Sequence, residues 1–337
     1  MPHARPPLAL TMGEPSGIAG EIVVKAWKAE DGGHVPPFVY IGDAAWLRAE
    51  VHHLRYHVHV IEVASPGEAV ARFAEGIPVL PEALPERPAH GRPVAANAKA
   101  VIASIRRAVD LAREGACAAV VTNPIHKASL YSEGFSFPGH TEYLAHLTGA
   151  SDPVMMLSIE GLKVVPVTVH LPLATAITRL SAERIIATTR VLATALRKDF
   201  GIAAPRIAVA GLNPHAGEDG TLGREEIDII KPAVAALKAE GIVVSGPLPA
   251  DTLFHAAARA RHDAAVCMYH DQALIPLKTL DFHGGVNTTL GLPLVRTSPD
   301  HGTAFDIAGQ GLADPSSLLA SLRLADRMAR TRAGFPT

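Results

Sequence analysis

The sequence predicts an α/β fold with a largely parallel sheet. Three observations carry that expectation. Short apolar strand-like runs alternate with helix-like ones nearly end to end. Capping residues open the helical stretches and glycines close them. The chain's 337 residues, 48% of them apolar, suffice for two lobes or domains of about 100–200 residues each.

Taken in order, "LALTMG" and "PFVYIGD" are the first strands. "AANAKAVIASIRRAVDLAREGA" sets Val101, Ile105, Val109 and Ala112 on one helical face ahead of the strand "CAAVVT". "KVVPVTVH" is a strand with a problem, because Pro166 lacks the amide that a central strand donates. That places the strand at an edge or shortens it to Val167–His170. "SAERIIATTRVLATALRKDFG" is a helix with Ser181 as N-cap, Glu183 in its first turn and Gly201 at its end. The strand "RIAVAGL", the helix "REEIDIIKPAVAALKAEG" closed by Gly241 and the strand "IVVSG" follow. "LPEALPERPAHGRP", residues 80–93, reads as an exposed loop or arm.

The formal net charge of −2 gives no basic excess for nucleic acid or an anionic membrane, so the expected partners are small molecules or further copies of the chain. Cys117 and Cys267 lie in apolar strand-like runs and read as buried reduced thiols. The apolar run near the start is too short for a signal peptide, and no uncharged apolar stretch of about 18 residues offers a membrane span. The expected setting is cytoplasmic.

One pattern recurs three times. "VVPVTVH" ends at His170, "AAVCMYH" ends at His270, and "IAVAGLNPH" reaches His215 just past its strand. Carboxyl ends of parallel strands are where such folds gather ligand-binding groups. Three imidazoles converging there would make a three-nitrogen metal site with open positions. With 17 histidines in the chain, coincidence is the competing explanation. Asp271, beside His270, and Asp251 are candidates for orienting a ligand or moving a proton, or else simple helix N-caps. A second constellation suits an anion. "FPGHTEYLA" places His140 and Thr141 at the head of a helix, and Lys278, Asn287 and Arg296 follow from loop-like sequence. "GEPSGIAGE" is a lone glycine turn, and neither G-x-G-x-x-G after the first strand nor G-x-x-x-x-G-K-[ST] is present, so no standard dinucleotide crevice is encoded.

At these residues the chain resembles a known family. "TMGEPSGIAGE", "VVTNPIHKASL", "FPGHTEYLA", "VHLPL", "GLNPHAGEDGTLGREE", "GPLPADTLF", "YHDQALIPLK" and "GVNTTLGLPLVRTSPDHGTAFDIAGQG" run in order from 11 to 311 and are similar to 4-hydroxythreonine-4-phosphate dehydrogenases of pyridoxine biosynthesis. Two departures stand out: "GIAGE" replaces the more usual "GIGPE", and Asn123 replaces a smaller residue.

The resemblance implies a two-lobed α/β/α fold like that of isocitrate and isopropylmalate dehydrogenases, with the active site in the cleft between lobes. The first lobe would comprise 1–128 plus 297–337 and carry the cofactor loop. The second, 129–296, would carry the metal ligands and dimer contacts. It implies a divalent cation (Zn²⁺, Co²⁺ or Mg²⁺) on His170, His215 and His270, and substrate phosphate on His140, Thr141, Lys278, Asn287 and Arg296. NAD or NADP would lie against His301, Gly302 and Asp306. The implied assembly is a homodimer with the active site at the subunit interface. The implied reaction oxidises 4-phosphohydroxy-L-threonine to 2-amino-3-oxo-4-phosphooxybutanoate, which decarboxylates to 3-amino-2-oxopropyl phosphate. Competing readings are a sister dehydrogenase acting on a sugar-acid phosphate or cis-dihydrodiol, a phosphotransacetylase-like acyltransferase, and a catalytically silent metal binder.

Overall fold

A computed structural model describes residues 5–29 and 35–335; the first four residues of the start read above for a signal peptide lie outside that range. The chain divides into two compact units, 1–151 with 292–337, and 152–291. The division points thus follow 151 and 291, where the sequence reading put them after 128 and 296, and His140, Thr141 and Arg296 belong to the first unit.

The first unit opens with β1 (Leu8–Thr11), α1 (Ala19–Lys28), β2 (Phe38–Gly42), α2 (Ala44–His53), β3 (Val60–Glu62), α3 (Pro66–Arg72), β4 (Ile77–Pro81), α4 (Ala98–Arg113), β5 (Val120–Val121), α5 (Lys127–Ser132) and α6 (His140–Thr148). The second holds β6 (Val154–Ile159), β7 (Leu162–Thr168), α7 (Leu173–Arg179), α8 (Ala182–Lys198), β8 (Ile207–Ala210), α9 (Lys231–Ala239), β9 (Val244–Leu248), α10 (Ala256–Arg259), β10 (Ala264–Tyr269), α11 (His270–Leu280) and β11 (Val286–Leu290). The chain then returns to the first unit with β12 (Arg296–Pro299) and α12 (Ser316–Arg332).

In the first unit the strand order is β3-β4-β2-β1-β5-β12, with every pairing parallel. Val101, Ile105 and Val109 of α4 pack on that sheet with Ala9, Val39, Ile41 and Val120, as their helical spacing requires. In the second unit the order is β11-β6-β7-β10-β8-β9. There β6 runs antiparallel to both β7 and β11, while β7, β10, β8 and β9 are parallel. Alternate residues of β10 serve opposite faces: Ala264, Val266 and Met268 meet α8 and α9, whereas Ala265 and Cys267 meet α11. Of these, fully buried Val266 and Met268 each contribute about 1.5–3 kcal/mol.

Pro166 corrects the expectation for β7. The strand runs through it and has neighbours on both sides, so it is neither an edge nor confined to Val167–His170. The β6 ladder stops at Val164, so one side of Pro166 has no ladder bond to lose. Ser181 caps α8 as expected, accepting from the Arg184 amide, and Gly201 and Gly241 take left-handed φ values of 68° and 78°. Cys117 and Cys267 are free and buried, one in each unit. Among the described residues no helix is long and apolar enough to cross a membrane.

Candidate active site

The second unit places two of the three strand-end histidines together. β7 and β10 are parallel neighbours with Thr168 opposite Tyr269, so their carboxyl ends coincide, and the Thr168 hydroxyl donates to the Met268 carbonyl at 2.8 Å. His170 lies two residues past β7 in a left-handed conformation (φ 52°), and His270 is the first residue of α11. Their ring centroids are 5.7 Å apart at an interplanar angle of 43°. Both line a pocket of about 300 Å³ with Thr168, Leu171, Tyr269 and Asp271. Asp271 is not an N-cap. Its Oδ1 sits 2.7 Å from His270 Nδ1, a contact that assigns the ring proton to Nδ1 and leaves the Nε2 lone pair for a ligand.

His215 sits on an unusual turn. Beyond β8, residues 215–219 all have left-handed φ, from 43° to 79°. Each non-glycine residue there costs roughly 1–2 kcal/mol. The turn persists because Glu226, buried to 1% exposure, accepts hydrogen bonds from the amides of Leu212 and Asn213, both at 2.7 Å, and from Asn213 Nδ2 at 2.9 Å. Among the described residues no three His, Cys, Asp or Glu side chains gather as a metal site. Asp251 lies in the short 250–252 turn, which packs beside the His215 turn. It is exposed, and the residue at the N-cap of α10 is His255, so the helix-cap alternative for Asp251 is not what forms.

In the first unit, α6 begins at His140 with Gly139 at its N-cap position and no side-chain cap, so no cap side chain satisfies its first amides, with Thr141 in the opening turn. His140 Nε2 is buried without a hydrogen-bond partner among the described residues. Burial, then the charges of Arg296 and Lys127, hold this imidazole well below its ordinary pKa, so it is neutral at pH 7. Arg296, only 3% exposed, donates to Thr122 Oγ1 at 2.6 Å. Burial pushes its guanidinium down to about 9, opposed by Glu142. Lys127 was missed by sequence reasoning; an exposed lysine after "PIH" carries no periodic signal. In the second unit Lys278 rides on α11, its Nζ 5.3 Å from the Phe282 ring centroid, and Asn287 on β11 has a buried Oδ1 without a hydrogen-bond partner among the described residues.

The loop with His301, Gly302 and Asp306 follows β12 in the first unit. His301 Nδ1 lies 3.0 Å from the Gly302 carbonyl, and the Asp306 carbonyl accepts from Gln310 Nε2 at 2.6 Å. Side chains of α1 and α2 fasten the loop. Lys25 Nζ donates to the carbonyls of Gly311 (2.8 Å) and Ala313 (2.7 Å), Glu21 accepts from the Ala313 amide, and His53 Nε2 contacts the Gly309 carbonyl at 2.7 Å. The i, i+4 spacing of Glu21 and Lys25 was a readable signal for this fastening that the sequence reading did not use. Gly17 explains why the first turn is glycine-rich, since a Cβ there would lie 2.6 Å from the Thr303 carbonyl.

The family model described as "Pyridoxal phosphate biosynthetic protein PdxA" matches residues 34–325. The chain belongs to the PdxA family. The matched span contains every candidate histidine, anion-site and cofactor-loop residue above, and begins after Glu21 and Lys25. Within the PdxA family, a curated relative from Caulobacter vibrioides named 4-hydroxythreonine-4-phosphate dehydrogenase is 55% identical over 334 residues, covering 97% of this chain and 98% of the relative. A crystal structure of 4-hydroxythreonine-4-phosphate dehydrogenase from Klebsiella pneumoniae is 43% identical with a TM-score of 0.88, over 96% of this chain and 99% of that one. A terephthalate 1,2-cis-dihydrodiol dehydrogenase from Burkholderia xenovorans LB400 is 32% identical with a TM-score of 0.64, over 99% and 100% of the two chains.

Proposed function

We propose that this chain is a cytoplasmic, NAD(P)-dependent dehydrogenase that needs a divalent cation and oxidises the C3 hydroxyl of 4-phosphohydroxy-L-threonine. The product is 2-amino-3-oxo-4-phosphooxybutanoate, a β-keto acid that loses CO₂ to give 3-amino-2-oxopropyl phosphate. The observation that carries the reading is the facing pair His170 and His270 at adjacent parallel strand ends, in a chain whose relatives are named for this dehydrogenase.

The donor set suits the metal: neutral imidazole nitrogens favour Zn²⁺ or Co²⁺ over Mg²⁺. Asp271 fixes the His270 tautomer so that Nε2 is free to bind. We assign the third ligand to His215 and, because no three donors gather within the described chain, we propose a homodimer in which a second chain completes each site. When bound, the cation supplies charge that lowers the pKa of the substrate hydroxyl, and the nicotinamide supplies the hydride acceptor.

The chain's own residues do the rest. His140, Thr141, Lys278, Asn287 and Arg296 are assigned to the phosphate on residue type, with the open amides at the start of α6 adding to the anion's stabilisation. Holding the phosphate fixes C3 in place. Neutral His140 can offer a ring N–H without the cost of a buried charge. Asp251, on the turn beside His215, is assigned to accept the hydroxyl proton. His301, Gly302 and Asp306 are assigned to the cofactor, on the first of two lobes, with the metal ligands on the second.

The test is reduction of NAD and NADP with 4-phosphohydroxy-L-threonine, with and without a chelator. Arg296→Ala should raise KM for that substrate by about tenfold or more, the worth of one charge-assisted contact, and change KM for the dephospho analogue little. Full activity after thorough chelation rejects the metal dependence. Equal effects on both compounds remove Arg296 from the phosphate site. Faster turnover of an aromatic cis-dihydrodiol would instead favour the sister activity.

A further inference from the structure

We infer that Glu226 is the positioning residue for His215: its carboxylate fixes the chain on both sides of that imidazole and so sets where the third proposed metal ligand points. The inference rests on the assignment of His215 as a ligand. Upstream, Oε1 accepts from the amides of Leu212 and Asn213, and Oε2 accepts from Asn213 Nδ2. Downstream, the same Oε2 packs so closely on Gly217 that a Cβ there would lie 2.6 Å from it. The carboxylate therefore bonds to Asn213, two residues before His215, and packs against Gly217, two residues after it. Glu225 adds a second hold on Asn213 Nδ2 at 2.7 Å.

The turn needs such a grip. The backbone bonds at this turn include three of 3.1 Å: Ala216 N to the Asn213 carbonyl, Thr221 N to Glu218 and Leu222 N to Gly217. These close the left-handed loop on itself; a hydrogen-bonded tie to the helix that follows is a separate contact. Glu226 supplies the tie, and it is itself fixed, being buried and standing first in a single π-helical turn, Glu226–Ile230, that leads into α9. Local π turns occur disproportionately at functional sites. Among the described residues Glu226 makes no hydrogen bond to a proposed ligand, so its action on the metal runs through the backbone it holds.

The experiment compares Glu226→Gln, Asn213→Ala and His215→Ala with the unaltered protein. Co²⁺ affinity is read by competition with a chromophoric chelator, coordination by the visible absorption of bound Co²⁺, and fold by thermal melting of the metal-free protein. Gln keeps the shape and one acceptor oxygen but turns an amide NH₂ toward Asn213 Nδ2, donor against donor. Glu226→Gln should weaken Co²⁺ binding by about 10–100-fold, the usual effect of removing a group that orients a ligand. It should also alter the Co²⁺ spectrum while the metal-free melt stays cooperative. Asn213→Ala, which leaves Glu226 its two backbone amides, should do the same more weakly, and it decides the matter if Glu226→Gln does not fold. Unchanged affinity and spectrum in the folded variants, with binding lost in His215→Ala, overturns the role of Glu226 and leaves the ligand assignment standing. Full Co²⁺ binding by His215→Ala overturns both.

Discussion

Two residues of the proposed anion half-site carry charge arithmetic that a sequence cannot display. His140 and Arg296 were legible by type and position, but their environments were not. The neutral state of His140 follows from burial and two nearby cations brought in by a different helix and a different strand. That depression has a stability consequence. In the unfolded chain the imidazole takes up a proton near pH 6.5, whereas in the folded chain it does so only at much lower pH. Between those values the unfolded state binds more protons, so stability is fully present above about pH 6.5 and is lost as pH falls toward the folded value. Thermal melts from pH 7.5 to 5 should show the loss, and His140→Gln should flatten it; an unchanged slope would mean His140 is not held neutral. Asp271 teaches a related lesson. A sequence reads it equally well as a cap, and only the 2.7 Å contact to His270 Nδ1 decides for the imidazole.

At the scale of elements, β1, β2, β5, β7, β8, β9, β10, α4, α8 and α9 were visible as strand-like or helix-like runs. The strands β6 and β11 were not singled out, and their antiparallel pairing makes the second unit's strand set mixed where a largely parallel one was expected. Strand direction is set by what a strand pairs with, and "VMMLSI" does not encode its partner. Nor did the sequence reading find the coupling between the two histidine-bearing loops. Gln272, on the first turn of α11, accepts from the Met268 amide and donates to the Gly211 carbonyl, both at 2.7 Å. It thereby ties the end of β10 to the end of β8. Gln272→Leu strands both buried backbone groups and should destabilise the fold by at least about 1–3 kcal/mol. Urea unfolding checks this as a lower midpoint at unchanged m-value.

For the whole molecule, the division into two units was expected from length and family resemblance, while the division points depend on contacts that no local motif announces. The proposed dimer can be tested in a way the geometry makes specific. His170 and His270 lie together within one chain, and we propose a shared site that takes this pair from one subunit and His215 from the other. Mixing inactive His215→Ala and His270→Ala proteins under subunit exchange should then restore activity, because one of the two sites in the heterodimer has all three ligands. Mixing His170→Ala with His270→Ala should restore none, since each site keeps one broken pair. Recovery in the second mixture, or none in the first despite demonstrated exchange, rejects this arrangement.

The two buried cysteines give the molecule something different: a clock in each half. Burial pushes the Cys117 thiol up to about 12 and the Cys267 thiol higher still, so neither offers thiolate to a reagent while its surroundings stay closed. Labelling can proceed only through opening, at a rate set by how often the local structure comes apart. Because Cys117 belongs to one unit and Cys267 to the other, removing either thiol leaves a chain whose modification times the breathing of a single half.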